Sequence, residues 1–110
     1  MKRGEGMNRE ACLQWVGSAF HVELGETRRI GLRLKEVKDK GSNGTIEQFS
    51  LLFEGEEGDV YLQQNSYRIV HEHLGPQIWL IVPIGNENGH YVYEAAFSMM
   101  KSVREEQADE

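Results

Sequence analysis

From Phe20 onward the chain repeats one pattern: short runs in which apolar and polar residues alternate, broken by turn-forming residues about every ten positions. Successive side chains of a strand point to opposite faces, so a period of two buries one side and wets the other. Phe20, Val22 and Leu24 alternate with His21 and Glu23, and Gly25-Glu26 turns the chain. Ile30, Leu32 and Leu34 alternate with Arg29, Gly31, Arg33 and Lys35, after which residues 38–44 read as a loop. Phe49, Leu51 and Phe53 open a third run, followed by an acidic loop over residues 54–59 and a short extended piece over 60–64. Tyr67, Ile69, His71 and His73 share one face of the next strand, with Arg68, Val70 and Glu72 on the other. Residues 77–84 are apolar on both faces, which predicts a central strand covered on both sides. Pro83 has no N–H to donate, so it belongs near the end of that strand or at a bulge. Residues 85–89 form a hairpin loop in which Asn88-Gly89 suits positive φ, and Tyr91, Tyr93, Ala95 and Phe97 mark the last strand.

A helical period occurs once. Asn8 can cap, and Cys12, Trp15, Val16 and Ala19 follow at three- and four-residue spacing, predicting a helix over about residues 9–17 that Gly17 weakens. No long helix is available to cross between parallel strands, so the pairing is expected to be antiparallel. The expected fold is mainly β: a small antiparallel β-barrel or sandwich of about six strands with one short N-terminal helix. At 110 residues the chain is one domain with enough surface to bury for a single core. Residues 1–7 are expected to form a flexible lead-in, 8–100 the β domain, and 101–110 a charged tail.

Charge and composition narrow the partners. A formal net charge of −6 disfavours nucleic acid, and no aromatic interleaves the basic residues as a base-stacking groove requires. No apolar run approaches the ~20 residues that span a bilayer, and no apolar stretch follows the basic N-terminus, so neither a membrane nor a secretory route is expected and the cytoplasm is the expected address. The single cysteine, Cys12, reads as a small buried apolar side chain.

Several stretches carry a resemblance. They are Trp15-Val16-Gly17-Ser18-Ala19-Phe20-His21-Val22, Leu32-Arg33-Leu34-Lys35-Glu36-Val37, Phe49-Ser50-Leu51-Leu52-Phe53, Leu62-Gln63-Gln64-Asn65-Ser66-Tyr67, His71-Glu72-His73-Leu74-Gly75, Leu80-Ile81-Val82-Pro83-Ile84 and Tyr93-Glu94-Ala95-Ala96-Phe97. Together the chain resembles a family of small bacterial β domains of unknown function, associated with phage tail-collar-type neighbours. The resemblance implies a compact β domain with an assembly or accessory role, and it implies no catalytic residues.

Chemistry-bearing residues are few. His71 and His73, at i and i+2 of a strand, could turn both imidazoles to one metal, with His21, His90 or a loop carboxylate completing the set. A His-x-His also opens the cupin metal motif, but the glutamate that motif needs does not follow His73. The expectation is no metal and no cofactor, with two polar or half-buried histidines at a strand end. No phosphate-cradling glycine motif and no nucleophile elbow is present. Glu94, among apolar neighbours, is expected at an edge or paired with a base. Residues 28–40 hold six basic side chains, whereas residues 54–59 hold four acidic ones. The functional expectation is therefore a non-enzymatic module acting through contacts with an unidentified protein partner, with Arg29, Arg33 and Lys35 meeting acidic surfaces of neighbours. The alternative is a small-molecule or metal-binding barrel centred on His71 and His73. An open interior lined by these rings would favour the alternative; a packed one favours the interaction module. Oligomeric state is not legible.

Overall fold

The computed structural model describes residues 8–56 and 60–100; the expected lead-in, the expected C-terminal tail and residues 57–59 of the acidic loop lie outside the described residues. Helix α1 (Arg9–Leu13) precedes β1 (Ala19–Leu24), β2 (Arg28–Asp39), β3 (Ile46–Gly55), β4 (Asn65–His71), β5 (Gly75–Glu87) and β6 (His90–Met100). The strands pair antiparallel in the ring order β1-β2-β3-β6-β5-β4, and β1 closes the ring on β4. The fold is thus a closed barrel rather than a sandwich. Among the described residues no helix is long and apolar enough to cross a membrane.

The period-two runs supply the interior. Phe20, Val22, Ile30, Leu32, Leu34, Phe49, Leu51, Phe53, Ile69, Trp79, Ile81, Tyr93 and Ala95 point inward and are buried. Each large side chain taken out of water contributes about 1.5–3 kcal/mol. Edge-to-face pairs tighten the centre, with ring centroids 5.1 Å apart for Phe20–Phe53 and for Trp79–Phe97. A six-stranded barrel is narrow enough for side chains to fill it.

Both ends are plugged. Where β1 begins, α1 and the turn behind it bring Cys12 and Trp15 against the core. Asn8 caps α1, its side-chain oxygen accepting from the Ala11 N–H at 2.7 Å. The helix stops at Leu13 rather than reaching residue 17, because the N–H groups of Gln14, Trp15 and Val16 bond three residues back and tighten the turn. Gly17, at φ +94°, then swings the chain into β1, and its N–H donates to Leu34 O at 2.7 Å. Across the opposite end runs the segment 60–64, which forms no strand. It buries Leu62, whose N–H donates to Tyr93 Oη at 3.0 Å, while Tyr67 Oη donates to Gln63 O at 2.6 Å.

Further sequence expectations change. β2 continues to Asp39, since a bulge between Leu34 and Glu36 shifts the phase and turns Val37 inward. Glu54 and Gly55 belong to β3, opposite Arg33 and Leu32, rather than to a loop. His73 lies in the turn after β4, off the strand face it was expected to share with His71. β5 is covered on its inner side alone: Ile78, Leu80 and Ile84 point outward and are 72%, 50% and 50% exposed. A closed ring has one interior, so among the described residues no second layer meets that outer face. Pro83 does sit at a bulge, but the hairpin loop is shorter than the expected residues 85–89: residues 85–87 pair as part of β5, and the turn closes on Asn88-Gly89 alone at φ 54° and 87°.

Candidate functional site

His71 ends β4 and is 2% exposed. Its Nδ1 accepts from the backbone N–H of His73 at 3.1 Å and of Leu74 at 3.4 Å. Its Nε2 lies 2.9 Å from Ser18 Oγ, and that hydroxyl donates to Trp15 O at 2.6 Å. With Ser18's hydrogen committed, one tautomer satisfies every contact: a neutral ring with its hydrogen on Nε2. The rings of Phe20 and Trp15 pack at centroid distances of 4.2 and 5.3 Å. Burial pulls the His71 pKa below the ordinary histidine value; His73 adds to the effect and Glu72 opposes it.

This arrangement determines what the histidine pair can do. The Nδ1 lone pair of His71 is held by the turn and its Nε2 carries a hydrogen, so neither nitrogen is left for a metal. His73 is exposed, its Nε2 3.3 Å from Glu72. The other histidines lie elsewhere: His21 faces outward on β1 opposite Gly31, and His90 Nδ1 donates to Gly55 O at 2.8 Å. Among the described residues no group of three or more His, Cys, Asp or Glu is placed to hold a metal ion. Burial, aided by the charge of Glu47, pushes the Cys12 thiol up to about 11, which keeps it protonated and a poor nucleophile.

The structure brings each expected contact residue to a carboxylate of its own chain. Arg29 reaches Glu23 at 3.1 Å, and Arg68 reaches the same carboxylate at 2.7 Å from the other side. Arg33 meets Glu54 at 2.5 Å, and Lys35 pairs with Glu87. Glu23 and Glu54 are held below the usual carboxylate range chiefly by hydrogen bonds from Arg68 and Arg33 respectively. Glu94 is paired, accepting from Ser50 Oγ at 2.5 Å with Lys40 Nζ at 3.8 Å. Three of these pairs follow from register, which places Arg29 and Arg68 directly opposite Glu23, and Arg33 opposite Glu54, whereas Lys35 and Glu87 lie on strands that are not neighbours in the ring. Nothing local in the sequence signals them.

Two surface features remain. A groove of about 380 Å³ crosses the outside of β1, β2 and β3, open because Gly31 presents no side chain there. Two polar pairs along it are engaged, Arg33 with Glu54 and His90 with Gly55, and His21 and Glu56 also line it. The second feature is the outer face of β5, where Ile78, Leu80 and Ile84 stand at positions that carry Arg29, Arg33 and Lys35 on β2 and Arg68 on β4. The alternation rule missed it, because apolar residues on both faces read as burial on both. A family model described as a domain of unknown function (DUF6916) matches residues 7–97. No curated protein and no solved structure matches the chain.

Proposed function

The chain belongs to the DUF6916 family, and we propose that it is a non-enzymatic module that works through protein contact, docking by the outer face of β5. The observation that carries this reading is the exposure of Ile78, Leu80 and Ile84 on one side of one strand. Single exposed apolar residues are ordinary, whereas three on one strand hold apolar surface together in water. The charges beside the patch are already neutralised, Arg68 by Glu23 and Lys40 by Glu94. The fitting partner therefore offers an apolar, uncharged protein surface. Arg29, Arg33 and Lys35 contribute to solubility and to the local ion pairs, and the apolar face carries the contact. In this reading the partner belongs to a bacterial or phage-derived assembly in the cytoplasm, an extension that rests on the sequence resemblance. The alternative, a ligand-binding barrel around His71 and His73, requires an open interior, and the filling of that interior by Phe20, Phe53 and Trp79 supports the interaction module instead.

The test uses the protein complex isolated from the native host. Ile78→Lys and Leu80→Lys, both at exposed positions, should leave the fold intact and weaken the complex at least about tenfold. The double variant Arg33→Glu, Lys35→Glu should leave binding near the wild-type level. Loss of binding in the charge-reversal protein, with retention in the β5 variants, would move the contact to the basic face of β2.

A further inference from the structure

The junction between β1 and β4 closes the barrel, yet it is the weakest backbone seam. Its ladder spans three residue pairs, His21↔Val70, Val22↔Ile69 and Glu23↔Arg68, fewer than any other junction among the described residues. Beyond Val70 the ladder stops, and the side chain of His71 takes over. Its ring bonds Ser18 on the segment entering β1 and, through the other nitrogen, the turn that follows β4. We infer that His71 is a pH-operated latch on this seam: its protonation frees the β4–β5 turn from the α1–β1 segment and opens that end of the barrel, while the rest of the sheet stays paired.

The chemistry of the ring requires it. The neutral tautomer already has its hydrogen on Nε2, so a second proton must go to Nδ1. That atom faces the N–H groups of His73 and Leu74, and as a donor it can bond neither. The buried cation would also lie between Trp15 and Phe20. From the α1–β1 segment the ring meets Ser18 and Trp15, and from β1 Phe20, none of which is charged. The charges that act on it sit in its own turn: His73, whose cationic form opposes a second positive charge, and Glu72, which favours one. The exposed Glu72 side chain is 3.3 Å from His73, so its charge is directed there in part. Relief comes from moving the ring out to water, which breaks its bonds to both sides of the seam.

The sign follows from linkage. With its pKa lowered in the closed state, His71 takes up protons more readily when the seam is open. Above the ordinary histidine value of about 6.5 both states are neutral and acidity has no effect. Below it, and down to the closed-state value, opening becomes more favourable by up to about tenfold per pH unit.

Amide hydrogen exchange on the whole chain, corrected for intrinsic rates, reads this between about pH 8 and pH 5. In the wild type, protection at His73, Leu74 and Val70 should fall on acidification while β3 and β6 stay protected. His71→Asn should abolish the pH dependence, and His73→Asn should retain it. His71→Phe, which keeps a ring between Trp15 and Phe20, serves in place of His71→Asn if that protein does not fold. A wild-type seam that stays closed at about pH 5, a pH dependence that survives loss of His71, or one that disappears with His73 would each overturn the latch.

Discussion

Tyr93 shows how one side chain serves two layers of the molecule. Its ring fills the barrel, and its hydroxyl accepts the Leu62 N–H that a crossing segment would otherwise bury unbonded. Tyr93→Phe keeps the ring and removes that acceptor, so urea unfolding should show a loss on the order of 1–3 kcal/mol, the cost of an unsatisfied buried donor. Leu62→Ala removes the plug itself and should cost about 2–5 kcal/mol in the same measurement. At the other end, Cys12 is a built-in reporter. Its buried thiol, raised to about 11, should resist alkylation at neutral pH and react once denaturant opens the fold. Rapid labelling of the native protein would show that the α1 plug is not seated as described.

Among the elements, α1 depends most on its neighbours. Five residues lie far below the length at which a helix is stable in water, so burial of Cys12 and the Asn8 cap hold it. A peptide of residues 8–18 should therefore show no helical circular dichroism. The β5–β6 hairpin is the opposite case, with its turn written locally. Asn88 and Gly89 both adopt positive φ, as a two-residue hairpin turn requires. Gly89→Val should cost about 1–3 kcal/mol through backbone strain alone, measured as a lower urea midpoint at unchanged slope. β2 lies between the two. Its first half was legible as alternation, but the bulge after Leu34 erased the pattern that would have carried it to Asp39.

For the whole molecule, acid stability follows from several shifts of one sign. Glu23, Asp39, Glu54 and His71 all have lowered pKa values in the folded chain. The unfolded chain thus binds more protons as pH falls, first through the histidine range and then through the carboxylate range, and stability should decline in both. The part due to Glu23 and Glu54 should shrink in high salt, because their partners Arg29, Arg68 and Arg33 stand in water, whereas Asp39, held chiefly by the backbone N–H groups of Gly41 and Ser42, should respond less. Six strand-forming runs, the inward faces of all but β5, the helix cap, the Asn88-Gly89 turn and the placing of Pro83 at a bulge were legible in the sequence alone. Those features rest on local physics: the two-residue period of the backbone, the conformational freedom of glycine and the N–H that proline lacks. Tertiary structure alone decided that the sheet closes, that Arg29, Arg33 and Lys35 each find a carboxylate, that both nitrogens of His71 are engaged, and that β5 keeps an apolar face in water. Each of these depends on how parts of the chain distant in sequence come together in the closed ring. Register is set by the joint packing of all six strands, and no short stretch of sequence contains it.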